Sequence, residues 1–345
     1  MDSQKILELN DLKVHFKTDE GLLKAVDGVS FSIEKGKTLG LVGESGCGKS
    51  VTSQAVLKLL PKTAVIEGKI LLKTDNEVDI AKVDNESSEI KSIRGKDISM
   101  IFQEPMTSFS PLYTMGNQVM EALLLHRTKD KKEARNIAIE MLRKVGISNP
   151  EVRIDQYPHE FSGGMRQRVM IAMALCCNPH LLIADEPTTA LDVTIQAQVL
   201  ELMKKLQKSM DMSILFITHD LGVVAEMCDD VCVMYLGKIV EKGTVDDIFY
   251  NPKHPYTRGL LQSIPNINAT DKDDLYSIEG NVPVPINLPP KCGFADRCDK
   301  MIQGLCDCND VPFAEIDNGQ FVRCFLYDEV KALHEKNLQG EACAE

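Results

Sequence analysis

The hydrophobic positions change period several times along the chain, and each change marks an element. Near the N-terminus, β-branched and apolar residues alternate with polar ones in "LKVHF" and "VDGVSFSI", the two-residue period of half-buried strands. "KTLGLVG" at 37–43 is a short continuous apolar run that stops at a glycine, which predicts a buried strand. "GKILLKTDNEVDIAKV" predicts two strands joined by a polar turn. From about 116 to 146 the period becomes helical. Ala134, Ile137, Ala138, Met141 and Val145 recur at three- and four-residue steps among Lys, Arg and Glu, and Gly146 supplies a stop. Strand signals return at "HLLIADE" (180–186) and "SILFITHD" (213–220), with a helix-like stretch between them. Such alternation implies an α/β fold, a parallel sheet covered on both faces. After about residue 250 the texture shifts to "NPKHPYTRGLLQSIPNI", then to the Pro-rich "NVPVPINLPPK". A boundary near 250 and a small irregular unit beyond it are expected. No set of motifs occurs twice, which excludes a fused pair of like domains.

Composition narrows the class. A chain of 345 residues, 26% charged and 43% hydrophobic, has the make-up of a globular protein with room for two domains. Its formal charge of -12 argues against nucleic acid as a partner, because phosphate backbones are gripped by clustered Lys and Arg. "MDSQKILELN" has no basic segment followed by an apolar one, so no secretory signal is read. The most apolar stretch, "VMIAMALCC" at 169–177, falls far short of the ~20 residues a bilayer needs. A cytosolic chain is expected, with eleven cysteines that are unlikely material for structural disulfides. Cys47, Cys176, Cys177, Cys228, Cys232 and Cys343 are scattered, whereas Cys292, Cys298, Cys306, Cys308 and Cys324 crowd together.

"GESGCGKS" at 43–50 has the spacing G-x-x-x-x-G-K-[ST] between a predicted strand and the predicted helix "SVTSQAVLKLL". In that context Gly43, Glu44, Ser45, Gly46, Cys47, Gly48, Lys49, Ser50 and Val51 form a phosphate-binding loop. The glycines let backbone N–H groups curl around the β- and γ-phosphates, and the helix N-terminus adds partial positive charge. Lys49 reaches the phosphates, and Ser50 offers its hydroxyl to Mg²⁺. Cys47, at a helix N-terminus, is expected to have a somewhat favoured thiolate, although a small residue in a tight loop is the plainer reading. The loop alone fits a kinase, a GTPase, a helicase or a transporter motor.

The deciding segments are "FSGGMRQR" (161–168), "LLIADEPTTALD" (181–192) and "ITHD" (217–220). With the phosphate loop, in this order, they resemble the ATP-binding subunits of ABC transporters over about residues 5 to 250. The resemblance implies a P-loop NTPase core with an antiparallel β subdomain and a helical subdomain at about 104–160. It implies ATP and Mg²⁺ as ligands, with Asp185 and Gln103 joining Ser50 around the metal. Glu186 is then the residue that polarises the attacking water, and His219 the one that contacts the γ-phosphate. Gln103, in "MIFQEP", senses the metal and the water, and Phe16 stacks on adenine, with core packing as its rival. Ser162, Gly163 and Gly164 head a helix that faces ATP on another subunit, where small residues permit close backbone approach. Asp192 lies across that dimer seam. Phe161 stands where many members carry leucine.

"QEPMTSFSPLYTMGNQVMEAL" and "HPYTRGLLQSIP" resemble the oligopeptide/dipeptide branch of importer ATPases, with His254-Pro255-Tyr256-Thr257 as a recurrent marker. "MTSFSP" departs at two positions from the usual "MTSLNP", and the branch also serves nickel and other small solutes. Its members often end in a four-cysteine extension, onto which Cys292, Cys298, Cys306 and Cys324 map. The interval between Cys298 and Cys306 is one residue longer than the pattern, which leaves Cys308 as an alternative to Cys306. Four thiolates in a reducing compartment suit a [4Fe–4S] cluster first, and Zn²⁺ or unligated core cysteines as alternatives. The resemblance thus divides the chain into an ATP-binding domain, 1–250, and a cysteine-rich extension, 251–345, expected to bury little without a metal.

The function implied is ATP hydrolysis coupled to peptide uptake at the cytoplasmic face of the membrane. Two permease subunits, a second ATPase subunit in a heterodimer and an external solute-binding protein are the implied partners. A non-transport ABC ATPase and a redox-responsive ATP-binding module are the rivals. Tandem cassettes or coiled-coil insertions, absent here, would mark the former, and the latter has no need of Glu186 and His219.

Overall fold

The computed structural model describes residues 4–103, 108–189, 191–264, 277–317 and 319–342. Residues 104–107, with Met106 and Thr107 of the "MTSFSP" segment, and Ala190, Pro265 and Cys343 lie outside the described residues. In chain order the strands are β1 (Lys5–Thr18), β2 (Gly21–Glu34), β3 (Thr38–Val42), β4 (Ala64–Lys73), β5 (Glu77–Asp79) and β6 (Ile98–Ile101). They continue with β7 (Leu181–Asp185), β8 (Ser213–Thr218), β9 (Asp230–Tyr235), β10 (Lys238–Thr244), β11 (Ala314–Asp317) and β12 (Gln320–Val322). The helices are α1 (Lys49–Val56), α2 (Ser88–Ile93), α3 (Met115–His126), α4 (Lys131–Lys144), α5 (Pro150–Arg153) and α6 (Gly163–Leu175). After them come α7 (Val193–Met210), α8 (Leu221–Met227), α9 (Val245–Tyr250), α10 (Pro255–Gln262) and α11 (Asp328–Ala342).

The chain divides into two compact units, each discontinuous in sequence. The first comprises Met1–Glu8, Ser32–Thr38 and Leu71–Ile217. Its strands β6, β7 and β8 run parallel, with Ile98 opposite Leu181 and Leu181 opposite Ser213. Every residue of β7 and β8 is buried, which is why "LLIAD" and "SILFIT" read as unbroken apolar runs rather than alternations. The helical stretch expected from 116 to 146 is two helices. Asp130 interrupts it, and its carboxylate accepts the Lys132 N–H to start α4. Gly146 follows α4 with φ of +80°, the left-handed exit that glycine adopts without strain. The apolar "VMIAMALCC" lies largely in α6, a core helix with Val169, Met170, Ile171 and Ala172 buried. No helix among the described residues is long and apolar enough to cross a membrane.

The second unit comprises Leu9–Phe31, Leu39–Ile70 and Thr218–Glu345. Here β1 lies between β2 and β4, and β3 pairs in parallel with β9, Leu41 opposite Cys232. Antiparallel β10 follows, then β12 and β11, with Glu241 opposite Val322. The extension therefore supplies two strands that continue the sheet of β9 and β10. It also buries far more than its Pro-rich sequence suggests. Tyr256 and Phe294 pack in one core with Val42, Val231, Val233 and Val240, while Phe325 and Val330 anchor a neighbouring one. Full burial of each such ring is worth about 1.5–3 kcal/mol, so the extension has a core of its own before any metal is considered. The helix α11 that follows had no counterpart in the sequence reading.

One polar node ties the marker "HPYT" into this unit. Glu241, fully buried on β10, accepts the N–H groups of Lys253 (2.6 Å) and His254 (2.8 Å) and the Gln320 amide (3.2 Å). His254 Nδ1 in turn accepts the Tyr256 N–H at 3.1 Å and caps α10. Burial pushes the His254 imidazole down to about 3, so it stays neutral in the fold. Between that value and an ordinary histidine's, the unfolded chain holds the extra proton. The contribution is thus complete above about pH 6.5 and is lost as pH falls, by up to about 1.4 kcal/mol per pH unit. Burial pushes Glu241 up, which acts in the opposite sense as pH rises through its own titration. His254→Asn keeps a cap acceptor but removes the titration. Its urea midpoint is expected to fall less than the wild type's between pH 7 and pH 5, and parallel losses would refute a neutral buried His254.

Candidate nucleotide site

In the second unit, β3 delivers the chain into the loop 43–50 and α1 leaves it. Helix α1 begins at Lys49, one residue before the expected start, and ends at Val56 rather than Leu60. Two glycines fix the path. A Cβ on Gly43 would sit 2.2 Å from the Met234 carbonyl oxygen, and one on Gly48 would sit 2.3 Å from that of Ala25. Gly48 has φ of +103° and serves as N-cap with no side-chain acceptor. The loop folds over its own lysine. Lys49 Nζ, 5% exposed, donates to the carbonyls of Gly43 (2.7 Å) and Glu44 (3.0 Å). Cys47 is buried, and burial pushes its thiol up rather than toward the thiolate expected at a helix N-terminus. Phe16, on β1 in the same unit, is half-buried and stands apart from the fully buried core. His219 follows β8 and is exposed, and Asp220 after it caps α8 through the Gly222 N–H at 2.8 Å.

Two residues that the sequence reading left outside the site contact this loop. The Tyr256 hydroxyl accepts the Glu44 N–H at 2.8 Å, and Arg297 grips the Glu44 carboxylate with two nitrogens at 2.7 and 3.1 Å. Tyr256 was visible as part of a marker. Arg297 carried no signal beyond its place between Cys292 and Cys298.

In the first unit, β7 ends on Asp185, which is 3% exposed, and Glu186 follows with φ of +47°. That left-handed conformation is uncommon for a residue with a side chain and turns the carboxylate out of the strand. Its Oε2 accepts the Gln103 amide and the Thr189 hydroxyl, both at 3.0 Å, and its N–H donates to Ile217 at 2.9 Å. The sequence-predicted pair Gln103 and Glu186 is thus in direct contact. Gln167, fully buried on α6, donates to the Pro187 carbonyl just beyond and ties that helix to the end of β7. Ser162 caps α6 through the Met165 N–H. A Cβ on Gly163 would meet nothing within 4 Å, whereas one on Gly164 would sit 3.1 Å from Ile195. Gly163 leaves the helix tip open to an approaching group, and Gly164 serves packing against α7. Asp192 caps α7, its carboxylate accepting the Ile195 N–H at 3.0 Å.

The cysteines form a neighbourhood rather than a cage. Cys292 packs between the two cores of the extension, next to Cys298 in one and to Cys306 and Cys324 in the other. The Cys292 N–H donates to the Cys306 carbonyl at 2.8 Å. Burial pushes the Cys292 thiol up to about 11 and that of Cys324 up to about 12, and the neighbouring cysteines add to both shifts. Cys308 is exposed, with its thiol donating to the Gly304 carbonyl at 3.1 Å. Among the described residues, no group of three or more His, Cys, Asp or Glu side chains is arranged to hold a metal ion. By donor chemistry the four thiols, Cys306 and Cys324 buried and Cys292 and Cys298 half-buried, suit a soft metal, and binding would have to displace their protons.

A glycine-shaped phosphate loop on one strand, an Asp-Glu pair on another and a capped Ser-Gly-Gly helix tip define the ABC class of ATPase. Comparison with known proteins agrees. The chain matches the ABC transporter family over residues 26–189 and the oligopeptide/dipeptide transporter C-terminal region over residues 240–306. It is 53% identical to the oligopeptide transport ATP-binding protein AppD of Bacillus subtilis (strain 168), over 94% of this chain and 97% of that one. The dipeptide transport ATP-binding protein DppD of the same organism is 51% identical over 94% of this chain and 96% of its own length. Among solved structures, the ATP-binding cassette MJ0796, as a dimer bound to ADP and Pi, superposes with a TM-score of 0.60. It is 27% identical and covers 69% of this chain and 98% of its own. The chain belongs to the ABC transporter ATPases, in the branch of oligopeptide and dipeptide transport ATP-binding proteins. It is an ATPase.

The glycine geometry gives a quantitative expectation. Gly46 has φ of +83° and open space at its Cβ position, so Gly46→Ala carries only backbone strain, about 1–2 kcal/mol. Gly48→Ala adds the collision with Ala25 and is expected to cost at least about 3 kcal/mol in urea unfolding. Equal losses would show that the loop is not clamped at Gly48.

Proposed function

We propose that the chain is the ATP-hydrolysing subunit of an importer of oligopeptides or dipeptides, in which ATP binding and hydrolysis at a dimer interface drive membrane permease subunits. The carrying observation is the joint match to the ABC transporter family and to the oligopeptide/dipeptide C-terminal region, with peptide-transport ATPases aligned over nearly the whole chain. In this reading residues 1–250 are the ATP-binding domain, with 104–160 as its helical subdomain, and 251–345 are the extension.

The loop amides and Lys49 hold the β- and γ-phosphates, and Phe16 stacks on the base. By kinship Ser50, Gln103 and Asp185 would hold Mg²⁺, which would offset phosphate charge. Glu186 takes the proton of the attacking water, its carboxylate aimed by Gln103 and Thr189. His219 contacts the γ-phosphate. The tip Ser162-Gly163-Gly164 reads the phosphates held by the other subunit, and the open space before Gly163 supports that approach. Asp192 lies at the seam, where capping α7 holds it in place. A second ATPase subunit completes a heterodimer on the cytoplasmic face, with two permeases and an external solute-binding protein. Leu112, 80% exposed, and Leu125, 65% exposed, lie in the 104–160 region and support a protein-docking role for it.

Glu186→Gln is expected to reduce turnover by roughly 10²–10⁴-fold while ATP still binds, read by phosphate release and nucleotide titration. Unchanged hydrolysis would remove Glu186 as the base.

The extension's cysteines carry a finer part of the reading, a structural [4Fe–4S] cluster on Cys292, Cys298, Cys306 and Cys324. Burial of Cys306, with Cys308 turned to solvent, supports this set over the Cys308 alternative. Anaerobically purified protein is expected to carry iron and acid-labile sulfide in equal amounts. A full complement of zinc without sulfide would overturn the cluster.

A further inference from the structure

Glu44 is an electrostatic oddity: a carboxylate one residue after Gly43, inside a loop whose chemistry is to attract anions. The structure answers it with a cation from the extension. Arg297 binds both carboxylate oxygens of Glu44, at 2.7 and 3.1 Å, in the forked geometry that suits guanidinium. Its side chain is 6% exposed. It is fixed from other sides by the carbonyl of Glu279 at 2.9 Å and by the rings of Tyr235 and Phe294, 5.8 and 5.9 Å from the guanidinium carbon. The same three-ring group includes Tyr256, whose hydroxyl takes the Glu44 N–H at 2.8 Å. The extension therefore engages both the side chain and the backbone of Glu44, while the Glu44 carbonyl receives Lys49.

We propose that Arg297 is a positioning residue for ATP binding: with Tyr256 it neutralises and tethers Glu44, so that the phosphate loop is held ready and free of a repelling charge. The proposal rests on the assignment of residues 43–50 as the ATP loop. Arg297 itself touches no phosphate; it acts through Glu44. Removing it leaves the carboxylate uncompensated beside the triphosphate, an effect moderated by the partial exposure of Glu44.

The test is Mg-ATP titration of the full-length chain by calorimetry, with thermal melting to confirm folding. Arg297→Met is expected to weaken binding about tenfold, and Arg297→Lys, which keeps the charge, less than threefold. In the double variant Glu44→Gln/Arg297→Met, affinity is expected to return to within about threefold of the wild type. A merely structural role would leave the double variant as weak as the single one, and that result overturns the proposal, as does wild-type affinity in folded Arg297→Met. Should Arg297→Met fail to fold, Glu44→Gln alone decides by hydrogen exchange without nucleotide. Faster exchange of the Ser45–Lys49 amides with unchanged protection in the extension supports the tether, and unchanged loop exchange overturns it. Absence of ATP binding by the wild type would instead overturn the loop assignment, an outcome distinguishable from loss of the tether alone.

Discussion

The nucleotide chemistry of this protein depends on a backbone path that no side chain could share. At Gly43 and Gly48 the loop passes so close to the carbonyls of Met234 and Ala25 that a single methyl would collide with either. These carbonyls belong to the end of strand β9 and the interior of strand β2, so the loop is cast against two strands rather than poised freely above a helix. Once the path is fixed, Lys49 has its own loop carbonyls within reach and stays buried without a carboxylate partner. A lysine so placed is satisfied by weak, replaceable acceptors, which keeps the cost of turning it toward phosphate low.

What was legible in the sequence follows from how local each signal is. The loop between β3 and α1 and the apolar run that ends at Asp185 are contiguous stretches whose residue types are dictated by their own backbone, and both elements lie where the pattern put them, whereas the helix start at Ser162 was signalled by kinship. The contact of Gln103 with Glu186 joins positions far apart in sequence, and kinship rather than periodicity brought them forward. The two-helix break at Asp130 was hidden because apolar spacing carries across a short turn and only the cap residue marks it. At Cys47 the plainer reading, a small residue in a tight loop, holds: a helix N-terminus lowers a thiol only where solvent or a cation supports the charge, and here burial pushes the thiol up.

The extension was the least legible part, and for a physical reason. Its strands β11 and β12 are too short to show a period, and its apolar residues fill a core whose other half is β9, β10 and α8. Pro-rich texture was read as inability to bury surface. In fact a few large rings supply the burial: Tyr256 and Phe294 pack on β9 and β10, and Phe325 in a second cluster within the extension. Glu241 illustrates the same dependence: a fully buried carboxylate that no helix or strand pattern foretells, kept in place by the backbone N–H groups of Lys253 and of His254, which opens the "HPYT" marker.

Most of the helix N-termini carry a structural cap. Helices α2, α3, α4, α6, α7, α8, α9 and α10 each begin with a side chain that accepts one of their own first amides. Such a cap lowers the pull of a helix tip on an external anion, because it already faces a lone pair. Helix α1 starts instead from Gly48, which offers no side chain, immediately after a loop bent by three positive-φ glycines. Helix α6 is capped like the others, Ser162 taking the Met165 N–H, but the glycine that follows it fronts open space. In the proposed reading the tip that grips phosphate in its own subunit is left without a side-chain cap, and the one that closes on phosphate across the dimer seam keeps a capping serine beside an open glycine. That difference would let one set of backbone amides bind ATP tightly and the other do so reversibly.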